Sequence, residues 1–325
     1  MQGNGAMRGA AHAILIGCLL LLAACGGSST KSGSPAPNPE DWRKEVKVLR
    51  VGITSTERDT GAQTQLDAYT KHLSDRLGIP VTFVQASDYA GVVQAIAAKQ
   101  IEMAITGASA YAAMWEASNG NVEPVVTNLE SDGSIGYYAA LFVNSKSKYH
   151  ALADLKGKTI AYPDANSTSG YLVPRFYMRK HDIDPDTFFS KGIFAGGHAQ
   201  AVVAVLNGQT DAGVTWVSGI GDVNDGYTRG QLHAMVADKS LDMKNLRVVQ
   251  LFGPIPNGPT VIRKDLPQEL KDLVRGVLCA MSFEEPKVFT AVTEGEGGGY
   301  IAVPHSFYES VIEMRAQERA ARRQE

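Results

Sequence analysis

Asn166-Ser167-Thr168-Ser169-Gly170-Tyr171 gathers three hydroxyl side chains at a place where the chain changes conformation. A strand-like run (Lys158-Thr159-Ile160-Ala161-Tyr162) and a turn (Pro163-Asp164-Ala165) precede it. A helical pattern follows, with Leu172, Val173, Phe176 and Tyr177 on one side. The first turn of a helix leaves backbone N–H groups without internal acceptors and presents the positive end of the helix dipole. Hydroxyls and unpaired N–H groups together can hold an anion there with no formal positive charge. The same residues also suit an ordinary Ser/Thr N-cap, in which a side-chain oxygen accepts one of those N–H groups.

The elements that must position this stretch alternate in type. From about Val46 onward, short β-branched runs are interleaved with amphipathic helical patterns, which predicts an α/β architecture. Strands are expected at Val48–Ile53, Val81–Val84, Met103–Ile105, Val125–Thr127, Ala139–Val143, Thr159–Ala161 and Val248–Leu251. Leu66, Tyr69, Leu73 and Leu77 recur at helical spacing between the first two. About 280 residues exceed what one small core serves, so two lobes are expected.

An internal echo also points to two lobes. Val93-Gln94-Ala95-Ile96, then Gln100-Ile101-Glu102-Met103-Ala104, is mirrored at constant offset by Val202-Val203-Ala204-Val205, then Gln209-Thr210-Asp211-Ala212-Gly213. Each reads as a helix, a Gln-x-acid turn and a strand of small residues. The register sets Tyr89 opposite His198, each at the N-terminal edge of its helix. In open α/β sheets ligands bind in the crevice beyond the strand ends, where such helix starts lie.

Composition narrows the partners and the compartment. The formal net charge of -3 gives no basic stripe of the kind nucleic acid requires. Residues 1–25 read as a signal: Arg8 and His12 precede the apolar run Ala13–Leu22, which is too short and wrongly flanked for a spanning helix. Leu22-Ala23-Ala24-Cys25 resembles a bacterial lipobox and implies lipidation of Cys25. A flexible Gly/Ser/Pro-rich tether covers 26–45. Once Cys25 is modified and the signal removed, Cys279 stands alone, so no internal disulfide can form; its apolar helical surroundings suit a core residue.

Five blocks now carry a resemblance. Asp88-Tyr89-Ala90-Gly91, Gly133-Ser134-Ile135-Gly136-Tyr137, Asn166 through Pro174, Gly197-His198, and Ile255 through Lys264 are similar, in order, to the periplasmic phosphonate-binding protein family. That family comprises the substrate-binding components of phosphate, phosphite and phosphonate ABC importers. The resemblance covers nearly all of 46–310 and implies a type II periplasmic binding protein. Its two α/β lobes would be 46–138 plus 253–325 and 139–252, joined by two crossing hinge segments near Tyr138 and Phe252. It implies a small phosphorus oxyanion held by Tyr89, Tyr137, Ser167, Thr168, Ser169 and His198, with no metal or cofactor. It further implies a lipid-anchored monomer that faces the periplasm or cell exterior and delivers its ligand to an ABC permease in the inner membrane. Members that bind an aminoalkyl phosphonate grip its ammonium with carboxylates, one in an Ile-Pro-x-Asp-Pro pattern. This chain has Gly258 at that acid, and Thr215-Trp216-Val217-Ser218 offers none at the other. A buried cation without a partner is costly, so aminoalkyl phosphonates are not expected to be favoured.

Other patterns are weaker. Ser169, His198 and Asp211 can be drawn as a hydrolytic triad, yet no Gly-x-Ser-x-Gly elbow is present. A lipoprotein that senses ligand for a membrane partner is a further alternative. Asp182-Ile183-Asp184-Pro185-Asp186 fails as a calcium loop because Pro185 interrupts it and Ile193 stands at the closing position. Gly295-Glu296-Gly297-Gly298-Gly299 lacks the Lys-Ser/Thr of a P-loop and is expected to be a flexible loop, and Arg315–Glu325 a solvated helical face.

Overall fold

The alternating pattern folds into two mixed sheets, each covered by helices on both faces. The structure, a computed structural model, describes residues 42–54 and 60–323. The signal, Cys25 and nearly all of the tether fall outside the described residues. The strands in chain order are β1 (Leu49–Ile53), β2 (Val81–Phe83), β3 (Met103–Ile105), β4 (Val122–Glu130), β5 (Gly136–Asn144), β6 (Thr159–Tyr162), β7 (Lys191–Phe194), β8 (Ala212–Val217), β9 (Leu246–Pro256), β10 (Pro259–Arg263) and β11 (Gly297–Ile301). The first sheet runs β11-β4-β10-β3-β1-β2 and the second β7-β6-β8-β5-β9.

In each sheet three parallel strands carry the helices that matter for the site: β2, β1 and β3 in the first, β7, β6 and β8 in the second. The antiparallel pairs β3–β10 and β8–β5 then join on the strands that travel between the sheets. The chain crosses between Glu130 and Gly136 and returns between Pro256 and Pro259. Tyr138 and Phe252, expected at the crossings, lie instead inside the second sheet, opposite Val217 and Ala139 respectively. β5 and β9 are longer than their β-branched centres suggested, which carries pairing up to the turns at Gly133 and Asn257-Gly258.

The cores follow from strand alternation. In the first lobe Leu49 and Val51 face Tyr69, Leu73 and Leu77 of helix Thr60–Leu77 and Leu278 of helix Gln268–Glu284, all fully buried. On the other face Ala104 and Val261 meet Val92 and Ile96, with Tyr111 and Met114 beyond. In β5 the consecutive Leu141, Phe142 and Val143 are all buried because helices cover both sides, with Leu141 and Val143 in one cluster and Phe142 in another. Burying a side chain of this size contributes about 1.5–3 kcal/mol.

Two regions depart from the sequence reading. Gly297–Ile301 is not a flexible loop but the edge strand β11, antiparallel to β4 from Gly297↔Glu130 to Ile301↔Thr127. Its glycines hide the strand signal, since they carry no side chain to alternate, and Tyr300 alone packs inward. The tail is not a solvated face. In helix Glu309–Arg322, Glu318 is buried and accepts from Arg175 Nε at 2.7 Å and from Arg179, while Arg319 grips both carboxylate oxygens of Glu116 at 2.6 and 2.7 Å. Helical spacing displays the charges of a tail; it cannot show that partners wait on helices more than a hundred residues away. Of the residues expected on one side of the helix carrying Arg175, Val173 is buried and Tyr177 packs against the same core, while Arg175 and Met178 are buried as well.

Candidate functional site

Four helix starts meet at one cavity between the lobes. Helix Tyr89–Ala97 and helix Ala108–Ala117 follow β2 and β3; a π-helical turn, Thr168–Leu172, and helix His198–Leu206 follow β6 and β7. All four begin at the C-terminal ends of parallel strands, so their dipoles and first-turn N–H groups share a focus. The cavity measures about 160 Å³. That is small beside the roughly 300–1,000 Å³ of sites for drug-sized ligands.

The three hydroxyls of the opening stretch are all buried. Ser167 caps the π-helical turn, its Oγ accepting from the Gly170 N–H at 3.0 Å. Thr168 Oγ1 accepts the backbone N–H of Ser109 at 2.9 Å, a bond between the lobes. Because that oxygen serves as acceptor, its own O–H remains available to donate. Burial pushes the Tyr137 phenol up, and hydrogen bonding with Ser169 and Thr168 works against that rise. Tyr137 therefore stays protonated as a donor. Trp216 meets it edge to face at 5.9 Å.

His198 is buried, with Nε2 at 3.2 Å from Ser167 Oγ and Nδ1 at 3.0 Å from Thr215 Oγ1. Burial drives its pKa down to about 3, so the ring is neutral near pH 7. Either ring tautomer satisfies both neighbours. With the proton on Nε2, however, His198 donates to Ser167 and frees the Ser167 O–H for a third partner. An acceptor placed in the cavity selects that tautomer. Tyr89, also buried, completes the arrangement from the first lobe.

The six residues expected from the sequence thus all line one cavity. The hydrolytic triad is not assembled. Both His198 ring nitrogens go to Ser167 and Thr215, while Asp211 accepts from Thr159 N and Oγ1 at 2.9 and 2.8 Å and from Tyr149 Oη at 3.2 Å.

Other lining residues were not expected. Thr106 and Gly107 line the cavity, and Thr106-Gly107-Ala108-Ser109 repeats, after β3, the small-and-hydroxyl strand-to-helix signature seen after β6, and could have been found by that likeness. Arg229 had no local signal. It brings a guanidinium to the wall, 4.8 Å from the Trp216 ring, so the cavity is not entirely without formal positive charge. That charge is already matched: Arg229 Nε donates to Glu130 Oε2 at 3.1 Å and Nη2 to Oε1, and the remaining contacts are Thr293 O and Asn257 Oδ1, each at 3.1 Å. Glu294, whose carbonyl accepts from Gly230, lines the same side. Gly258 lies where the crossing passes closest to helix Ala108–Ala117; a Cβ there would stand 2.1 Å from the Thr106 carbonyl oxygen.

Two α/β lobes joined by two crossings, with a polar cavity at their shared helix starts, define a type II periplasmic binding protein. Comparison with known proteins agrees at the level of family. The profile of the ABC transporter, phosphonate, periplasmic substrate-binding protein family matches residues 51–308. The phosphonates-binding periplasmic protein of Escherichia coli strain K12 is 30% identical over 259 residues, which cover 78% of this chain and 72% of that protein. The phosphate-import protein PhnD of Mycolicibacterium smegmatis is 30% identical over 205 residues, 60% of this chain and 62% of that one. In structure, a binding protein component of an ABC phosphonate transporter from Pseudomonas aeruginosa superposes with a TM-score of 0.69 at 25% identity, over 82% of this chain and 85% of the other. PhnD1 from Prochlorococcus marinus, solved with methylphosphonate, shares the fold with a TM-score of 0.72 at 17% identity, over 87% and 99%. The chain belongs to the periplasmic phosphonate-binding protein family of ABC transporters, a family of transport components rather than enzymes.

Proposed function

We propose that this chain is an extracytoplasmic, lipid-anchored receptor that captures a small phosphorus oxyanion and delivers it to an ABC permease. The convergence of four helix starts on a small cavity lined by Tyr89, Tyr137, Ser167, Thr168, Ser169 and His198 carries the reading. A tetrahedral oxyanion needs several short donors in fixed geometry, and hydroxyls with backbone N–H groups supply them. Micromolar affinity requires about 8 kcal/mol, a demand that several charge-assisted hydrogen bonds meet.

Lobe closure supplies the transport signal. Tyr89 comes from the first lobe, the Ser167–Ser169 hydroxyls and His198 from the second, so a bound anion contacts both only when they are together. The crossings at 131–135 and 257–258 act as the hinge. Lipid on Cys25 and the tether at 26–45 would hold the receptor at the membrane as a monomer. Among the described residues no helix is long and apolar enough to cross a membrane itself.

Phosphate, phosphite and methylphosphonate fit this cavity better than an aminoalkyl phosphonate. A carboxylate at position 258 has no room, and Thr215-Trp216-Val217-Ser218 supplies no acid to hold the ammonium. Calorimetric titration with those three anions and 2-aminoethylphosphonate tests the proposal. Binding of at least one of the three, with the aminoalkyl ligand weaker, is expected. Preference for 2-aminoethylphosphonate contradicts the specificity, and binding of none contradicts the function.

A further inference from the structure

A cation stands directly behind the neutral cradle, on an element that has no place in the site described so far. Arg315, on helix Glu309–Arg322, donates from Nη1 to Ser109 Oγ at 3.1 Å and from Nη2 to Asn166 Oδ1 at 2.8 Å. Ser109 is the residue whose N–H reaches Thr168, and Asn166 is the chain neighbour of Ser167. One guanidinium therefore bridges the two lobes at the seam that backs the cavity. Its Nε lies buried without a hydrogen-bond acceptor among the described residues. The helix that carries it is clasped from both sides, by Glu116 on Arg319 and by Arg175 and Arg179 on Glu318, which fixes Arg315 over the seam. Arg319 is thereby matched, whereas among the described residues no carboxylate forms an ion pair with Arg315. The acids whose fields reach it are Glu116, from helix Ala108–Ala117, and Asp164, from the turn after β6. Arg229, the cation on the cavity wall, is spent on Glu130.

We infer that Arg315 is the positioning residue that matches this receptor to doubly charged phosphorus oxyanions. Its guanidinium holds Ser109 and Asn166 in register across the seam and offsets, from behind, the second negative charge that hydroxyls and amides alone would leave uncompensated. The inference rests on the proposed reading of the cavity and names the charge state that the cavity selects. Arg315 does not line the cavity, so its charge acts by field rather than contact and its effect scales with ligand charge. A purely structural clasp would weaken every ligand alike.

The test compares Arg315→Gln and Arg315→Lys with the unaltered protein, by calorimetry at about pH 8, where phosphoryl groups carry both charges. The dianion is the tightest binder among phosphite, phosphate and methylphosphonate; hypophosphite, a tetrahedral monoanion, is measured by displacement of it. Arg315→Gln should weaken the dianion roughly tenfold and hypophosphite by less than about threefold, and Arg315→Lys should restore most of the dianion affinity. Equal losses for the two anions, or a loss under about threefold for the dianion, would overturn the inference while leaving the receptor reading intact. An unaltered protein that binds none of the dianions overturns the receptor reading, and this inference falls with it.

Discussion

Ser109 gives its backbone N–H to Thr168 Oγ1 at 2.9 Å, and this single bond ties the start of a first-lobe helix to the π-helical turn of the second. Thr168 thereby serves closure as acceptor and the cavity as donor. Replacing it by Val keeps the shape and removes both roles. Hydrogen bonds to charged groups contribute about 1.5–3 kcal/mol, so Thr168→Val should weaken oxyanion binding by roughly tenfold to a hundredfold. Thr168→Ser should retain most of the affinity. Calorimetric titration decides, and an unchanged affinity for the Val variant would move the ligand away from this turn.

Gly258 owes its identity to space. With the Thr106 carbonyl oxygen 2.1 Å from any added Cβ, Gly258→Asp cannot install an ammonium-binding carboxylate without shifting backbone. Overpacking of this kind costs about 1–3 kcal/mol. The variant should unfold at lower denaturant concentration and gain no affinity for 2-aminoethylphosphonate. A stable variant that acquires that ligand would show the crossing to be softer than described.

Glu130 is fully buried and Arg229 nearly so, and the pair lies where β4 leaves the first lobe. Removing one partner of a buried ion pair leaves the other charge uncompensated, at about 3–5 kcal/mol. Glu130→Gln should therefore lower the unfolding free energy by an amount in that range. Urea titration followed by circular dichroism measures it. A change below about 1 kcal/mol would class the pair with exposed ones.

His198 sets a pH dependence whose sign follows from burial. Its folded pKa is lowered to about 3, below the ordinary value of 6.5, so between these values the unfolded chain binds more protons than the folded one. The contribution of the neutral ring to stability is complete above 6.5 and is lost as the pH falls toward 3. His198→Asn should show a flatter stability profile than the unaltered protein across that window. Urea titrations at several pH values between 3 and 6.5 measure both profiles, and parallel profiles for the two proteins would refute the assignment.

Much of this site was legible because its residues announce themselves locally. The hydroxyl run 167–169 sits at a strand-to-helix junction, and the echo that aligns Tyr89 with His198 survives as two nine-residue helices whose first residues face one cavity. What escaped were residues defined by distant partners. Arg229 reads as one more loop cation until Glu130 is brought to it from 99 positions away, and Arg315 as a tail charge until Ser109 and Asn166 meet beneath it. β11 escaped for a different reason: three successive glycines give no alternation, and only pairing with β4 makes them a strand.

The central claim, that a phosphorus oxyanion is held by the hydroxyl turn between the lobes, is tested most directly by a crystal structure grown with methylphosphonate. The account predicts the phosphonate oxygens within hydrogen-bonding distance of Thr168, Ser169, Tyr137 and Tyr89, with His198 donating to Ser167. A phosphonate bound elsewhere, with this cavity holding only water, would contradict it.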